Sequence, residues 1–433
     1  MSGDIVTVRG DCHGLAMPAH PDALRALGSA FLTAAFHANG VLGADNRITK
    51  ITHCVDVQGG STGRKLLLDV EYAKPDATLH GELFVKFSRD FDDPLRDRGK
   101  SQMDAEVRFA QLSCTPDFPI AVPRCYFADQ HSESQTALLI TQRIAYGRGG
   151  IEVQHQKCRD SELGNASAHY RALLRSLGRL AGTQQAGRLP GSIAADFPFA
   201  FEALGVAARA PYSAEQVTRR VERLGEFMHE APALLPEALR GSAFLARLAM
   251  EAPRVATHGE AIRQVLARTP AHIALCHWNA NIDNAWFWRG AGGELECGLM
   301  DWGCVSQMNL AMALWGALCG AETQLWEFEF DALLAQFIAE VHRAGGGVLD
   351  ATRLRRELLL YAALMGINWL FDVPALLRAR VPAWRELSGR LDPRIRDDEA
   401  ARTPLQMLTV LLYLWQQHDI GRELDKLLKE AAT

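Results

Sequence analysis

The hydrophobic period of this chain changes once along its length, and the change divides it. Residues 48–57 alternate apolar and polar side chains, and 65–72 do the same beyond a glycine-bearing gap, the pattern of a β-hairpin. Residues 82–87 predict a third strand. Residues 119–126 and 136–142 predict two more, the second apolar enough to be buried. From about Ser161 the period becomes helical, over 166–185, 213–228, 253–266, 310–319, 326–344, 351–373 and 404–430. Two short strands, 284–288 and 295–300, interrupt the helices around a glycine-rich turn at 289–293. The pattern predicts an α+β chain in three parts: a helical extension over 1–47, a β-rich part over 48–145 and a large helical part over 146–433.

At 433 residues the chain is long enough for two or three structural units. Hydrophobic residues at 48% and charged residues at 22% exclude a mainly disordered chain. The formal net charge of -5 supplies no global field for nucleic acid or an acidic membrane. The nine cysteines include no Cys-x-x-Cys pair, which points away from a disulfide framework and toward a reducing compartment. Cys276, Cys297 and Cys304 lie near His277 in sequence but match no common zinc spacing. The N-terminus carries no signal-peptide pattern, and no apolar run reaching a membrane span's length is expected. A cytoplasmic protein with no nucleic-acid and no membrane partner is the expectation; nothing in the sequence specifies oligomeric state.

Several residues stand out chemically. The gap between the first two strands holds Gly59, Gly60 and Gly63, which let backbone amides approach a polyphosphate, though an ordinary hairpin turn reads the same way. Lys86 lies inside the apolar alternation of the third strand, either as an edge lysine in solvent or as a phosphate ligand. Glu106, on a helix expected over 101–112, is either an exposed helix glutamate or the partner of that lysine. Farther on come His277-Trp278-Asn279-Ala280-Asn281-Ile282-Asp283-Asn284 and Asp301-Trp302-Gly303. The tryptophans around these motifs, Trp278, Trp286, Trp288, Trp302 and Trp315, read as packing.

The ordered set Lys86, Glu106, His277, Asn284 and Asp301-Trp302-Gly303 resembles the aminoglycoside phosphotransferase and choline kinase branch of the protein-kinase-like superfamily. The match runs from about Thr49 over most of the chain. The resemblance implies a bilobal fold, a small β-rich N-lobe and a large mainly helical C-lobe, with ATP and Mg2+ between them and a small hydroxyl-bearing substrate. It further implies Lys86 on the phosphates and oriented by Glu106, metal ligands Asn284 and Asp301, and a structural role for His277. Adenine would be held by the hinge, assigned to Gln142 through Ile144 by position alone.

Three positions depart from the family pattern. Trp278 replaces a small residue, Asn279 stands at the catalytic-base position, and Asn309-Leu310-Ala311 replaces the usual Asp-Leu-Ala. An asparagine orients a hydroxyl by hydrogen bond but cannot accept its proton. A general base contributes ~10² to 10⁴-fold, whereas positioning and metal electrostatics supply most of phosphoryl transfer. The expectation is a slow ATP-dependent phosphotransferase acting on a small-molecule hydroxyl. A nucleotide-binding pseudokinase and transfer of another group, such as a nucleotidyl moiety, stand as alternatives. Glu322, Glu327, Glu329 and Asp331 suit either a cationic substrate or a solvated helix face.

Overall fold

The computed structural model describes residues 6–57, 59, 62–191, 193–201 and 211–431. The protein is α+β, with a β-sheet N-terminal region and a larger helical C-terminal region, as the change of period predicts. Two compact units divide it. The first comprises Met1–Ile151, Leu189–Phe197 and Gly298–Val305; the second comprises Glu152–Arg188, Pro198–Cys297 and Ser306–Thr433.

The first unit opens with a hairpin, β1 (Thr7–Arg9) and β2 (Ala16–Pro18), followed by α1 (Pro21–Ala38). Then come β3 (Ile48–Asp56), β4 (Arg64–Tyr72), β5 (Glu82–Phe87), the short α2 (Pro94–Asp97), α3 (Met103–Leu112), β6 (Cys125–His131) and β7 (Thr136–Gln142). Strands β3 to β7 form one antiparallel sheet in the order β3-β4-β5-β7-β6. Because strand side chains alternate between faces, Leu66, Leu68, Leu83, Val85 and Phe87 gather on one face with Leu24, Phe31, Leu32 and Phe36 of α1. On the opposite face Met103, Val107 and Ala110 of α3 pack on Cys125, Ala128, Ala137 and Leu139. Lys86 belongs to this second face by the same alternation.

Two expectations change here. Residues 1–47 contain a hairpin as well as a helix, and α1 shares the core of the sheet rather than standing apart from it. The strand expected over 119–126 lies at Cys125–His131, because Pro119 and Pro123 offer no N–H to a ladder. Only Ala121 of that approach pairs, in a single parallel bridge with Gly298.

In the second unit, α4 (Ala166–Gln185) begins where Asn165 Oδ1 accepts from the Ala168 N–H at 3.1 Å. The short α5 (Ile193–Asp196) belongs to the first unit. Ser213 and Gln216 form a reciprocal capping box ahead of α6 (Ala214–Glu230). The chain continues through α7 (Ser242–Thr257), α8 (Gly259–Arg268), β8 (Ile273–His277), β9 (Ala285–Arg289), β10 (Leu295–Leu299) and β11 (Val305–Asn309). Next come α9 (Leu310–Leu318), α10 (Thr323–Phe328), α11 (Phe330–Arg343) and α12 (Ala351–Trp369). The last four are α13 (Val373–Arg380), α14 (Pro393–Arg396), α15 (Glu399–Gln417) and α16 (Ile420–Ala431). Pro253 and Pro404, expected as helix starts, lie inside α7 and α15, where the buried apolar stripe of each helix outweighs one lost hydrogen bond.

The α12 segment corrects the expectation that no apolar run reaches membrane length. Over Ala351–Arg380 an 18-residue window has mean hydropathy 1.5, long and apolar enough by composition to cross a bilayer. That window is 83% buried inside the protein, and α12 packs on α7, α8, α9, α15 and α16. A helix that is apolar all round is satisfied equally well by a protein core.

Candidate functional site

The first unit gathers Lys86, Glu106 and Asp301 into one cluster. Lys86 Nζ donates to Glu106 Oε1 at 2.7 Å and to Asp301 Oδ1 at 2.5 Å. The Lys86 and Glu106 side chains are 13% and 7% exposed, while Asp301 is 48% exposed, so one carboxylate is enclosed and the other reaches solvent. Burial pulls the Lys86 amine down, but Glu106 and Asp301 outweigh it and hold the lysine well above its ordinary value. Burial pushes the Glu106 carboxyl up, and Asp301 adds to that although Lys86 opposes it. The group is a charged ammonium shared by two carboxylates.

Backbone geometry aims Asp301. It has φ 62 and ψ 60, the left-handed region, and turns the chain from β10 into a helical turn over Trp302–Cys304. Trp302 is buried and stacks on Phe109 of α3, with ring centroids 3.7 Å apart and planes 19° apart. Glu106 and Phe109 are three apart on α3 and share a face, so the stack that fixes the Asp301 turn also fixes the glutamate.

The glycine-bearing loop precedes β4. Gly63 has φ 54, and a Cβ there would lie 1.8 Å from the Phe87 carbonyl oxygen, so the turn admits only glycine. Arg96 of α2 ties this loop down: its guanidinium donates to the Gly63 carbonyl at 2.6 Å and the Gly59 carbonyl at 3.2 Å. Gly60 lies outside the described residues. Lys65 of β4 is the cross-strand partner of Lys86, and its Nζ donates to the Gly59 carbonyl at 3.1 Å. Burial pushes the Lys65 amine down, and the neighbouring Lys86 ammonium pushes it further. Gln142 ends β7, its N–H donating to the Arg124 carbonyl at 2.8 Å, and Ile144 is buried just beyond.

The second unit holds the other motif. His277, fully buried at the end of β8, accepts from the Asn279 N–H through Nδ1 at 3.3 Å. Asn279 Oδ1 accepts from Lys157 Nζ at 3.2 Å. The Asn281 amide lies between Asn279 Oδ1, at 2.5 Å, and the Gly316 carbonyl, at 3.0 Å. Asn284 is buried and donates through Nδ2 to the Asn279 carbonyl at 2.8 Å, so its Oδ1 is not used in that bond. Burial pulls the Lys157 amine down, but Asp283 leads the charges that reverse this, and the lysine is held above its ordinary value. At Gly316 of α9 a Cβ would lie 1.6 Å from the Trp278 carbonyl oxygen, so the helix and the loop touch backbone to backbone. Trp278 Nε1 donates to Tyr361 Oη at 2.8 Å, and Trp302 and Trp315 are buried, the packing roles expected of them.

The acidic residues considered for a cationic substrate are mostly engaged elsewhere. Glu322 forms a bidentate pair with Arg390, Glu329 pairs with Arg171, and Asp331 pairs with Arg355. Lys65, Arg96 and Lys157 are the residues that sequence inspection misses. The alternation of β4 contains a signal for Lys65, since it is out of phase with the buried Leu66 and Leu68. Lys157 has none, lying in an irregular segment 122 residues before Asn279.

No family model and no curated protein matches the sequence. Solved structures similar to the chain include choline and ethanolamine kinases and aminoglycoside phosphotransferases. Choline kinase from Cryptosporidium parvum Iowa II is 11% identical with a TM-score of 0.42, over 87% of this chain and 90% of that one. Plasmodium vivax ethanolamine kinase is 11% identical with a TM-score of 0.41, over 85% and 83%. Spectinomycin phosphotransferase, in complex with ADP and spectinomycin, is 13% identical with a TM-score of 0.40, over 83% and 94%.

Proposed function

We propose that the protein binds ATP with Mg2+ and transfers a phosphoryl group to a hydroxyl of a small molecule. The observation that carries this reading is the Lys86 ammonium held at once by Glu106 and Asp301, 20 and 215 residues away in sequence. A buried ammonium with a fixed orientation is suited to phosphate oxygens, and Glu106 keeps it both charged and aimed. Lys65 supplies a second cation on the same face of the sheet. Gly59, Gly60 and Gly63 would bring backbone amides close to the phosphates, and the backbone from Gln142 to Ile144 would hold the base.

Magnesium takes oxygen ligands, and the half-exposed Asp301 carboxylate and the Asn284 amide oxygen would supply them. When bound, the ion neutralises charge on the phosphate oxygens. Asn279 orients the acceptor hydroxyl without taking its proton, and Lys157 beside it favours an anionic group there. His277 braces the loop from below. A reducing, cytoplasmic setting suits nine cysteines that form no disulfide.

One observation favours a second reading, a nucleotide-binding pseudokinase: the base position is a neutral amide already hydrogen-bonded to a half-buried lysine. Both readings require nucleotide. Saturating Mg-ATP is expected to raise the melting temperature by mass action, and Lys86→Ala and Asp301→Ala to reduce the shift. No shift in the wild type, with no heat of binding by calorimetry, would refute both. ATP turnover above the Asp301→Ala baseline separates the enzyme from the pseudokinase.

A further inference from the structure

We propose that Glu152, His155 and His169 form a site for a divalent transition-metal ion of the zinc class. All three belong to the second unit, and one ligand atom from each lies within 4.8 Å of the others. Glu152 Oε2 lies 3.0 Å from His155 Nε2 and 2.8 Å from His169 Nε2. The side chains are 31%, 12% and 10% exposed, an enclosed pair of imidazoles with a carboxylate at the rim. Zinc arms of about 2.0 to 2.1 Å at tetrahedral angles need donor separations of about 3.3 Å, which the two Glu152–imidazole distances reach by opening a few tenths of an ångström.

The hydrogen bonds behind the cluster favour a ligating arrangement. His169 Nδ1 lies 2.8 Å from the Asn165 carbonyl oxygen, which only accepts, so the proton sits on Nδ1. In that tautomer the Nε2 that points at Glu152 carries a lone pair, lone pair against carboxylate. A cation shared by the two resolves this, and a backbone carbonyl behind the other ring nitrogen is the usual way a metal-bound histidine is oriented. The Phe287 ring packs against both imidazoles, with centroids 5.7 and 4.7 Å away, and the Glu152 N–H donates to the Phe287 carbonyl at 2.9 Å. Two nitrogens and one carboxylate oxygen select zinc-like ions over magnesium or calcium, with water completing the shell.

Such an ion joins two pieces of chain, the segment leading from Glu152 to Lys157 and the first turn of α4, and Phe287 of β9, just after Asn284, packs against both imidazoles. It acts as a positioning brace for Lys157. That consequence rests on the proposed function, whereas metal binding itself does not.

The test uses the untagged full-length protein, stripped with a chelator, reloaded with Zn2+ or Co2+ and freed of excess by gel filtration. About one ion per chain is expected, with intense visible absorption of low-symmetry, four-coordinate cobalt. His155→Ala and His169→Ala should each lower the bound metal to about a tenth or less while circular dichroism confirms the fold. Because either variant could lose metal through misfolding, His155→Cys provides an independent measurement. It retains a ligand and should add a thiolate-to-cobalt charge-transfer band absent from the wild type. A wild type that holds no ion would overturn the proposal and leave Glu152 as a hydrogen-bond partner of two histidines. So would metal content unchanged in both alanine variants, which would place the ion at the exposed thiols, or a His155→Cys cobalt spectrum identical to that of the wild type.

Discussion

A side-chain amide bonded to a half-buried ammonium behaves differently from one facing water. Asn279 Oδ1 receives Lys157 at 3.2 Å, so an aspartate at this position would be born into an ion pair. The adjacent positive charge lowers the carboxylate's pKa and weakens it as a proton acceptor. Asn279→Asp is therefore expected to raise ATP turnover by less than about 10-fold, well short of the ~10² to 10⁴-fold of a positioned base. Turnover assays with Asp301→Ala as the zero check this, and a gain of about 10²-fold would mean that Lys157 does not hold the new carboxylate. Asn309 explains another departure from the family pattern. It is fully buried; its Oδ1 caps α9 at the Ala311 N–H, 2.8 Å, and its Nδ2 donates to the Leu266 carbonyl and to Glu357 Oε2, both at 2.9 Å. Glu357 is itself fully buried, bonded to His272 at 2.7 Å and Arg353 at 3.0 Å. An aspartate would keep the cap but lose both donations and face a buried carboxylate. Asn309→Asp should cost about 3 kcal/mol or more in urea unfolding, and a loss under about 1 kcal/mol would show that Glu357 does not depend on this amide.

At the scale of elements, the entry to β4 is constrained by the backbone at Gly63 as well as by the Arg96 side chain. Gly63 combines a positive φ with a Cβ position 1.8 Å from the Phe87 carbonyl oxygen, at the residue where β5 ends against Arg64. Gly63→Ala must displace either the loop or the end of β5, and should lower stability by about 1 to 3 kcal/mol and reduce the Mg-ATP thermal shift. An unchanged melt with an unchanged shift would show that the loop relaxes freely and does not position nucleotide. Much of this unit was legible in the sequence, because Leu66, Leu68 and Val70 on β4 and Leu83, Val85 and Phe87 on β5 recur at every second position and Lys86 falls out of phase with them. The opposition of Lys65 to Lys86 was not, since register depends on how the chain turns through the glycine loop. Strands of three residues, Thr7–Arg9 and Ala16–Pro18, are too short to show a period at all. Lys157 and the Glu152, His155, His169 cluster were illegible for a related reason: their partners are brought together by tertiary packing of irregular chain, and only His169 sits on a periodic element.

Taken over the whole molecule, polar groups are enclosed beside the candidate site residues, and that enclosure has a measurable pH signature. Asp160, three residues beyond Lys157, is 4% exposed, and burial pushes its carboxyl up to about 7 even though the Tyr170 hydroxyl donates to it at 2.7 Å. Its unfolded value is near 3.9, so the native state binds more protons than the unfolded chain between about pH 4 and pH 7. Stability from this group is thus present at low pH and lost as pH rises through the native value, the reverse of an ion-paired carboxylate. Glu106, also raised by burial, contributes in the same direction, so the wild type's pH profile alone does not isolate Asp160. Asp160→Asn does, because the amide oxygen still accepts from Tyr170 while the titration is removed. The melting temperature of the variant minus that of the wild type should become more positive from about pH 5 to about pH 8, as the wild type alone pays for a buried anion. A difference constant across that range would show that the carboxylate keeps one protonation state throughout, either because water enters the native pocket or because its proton is never released.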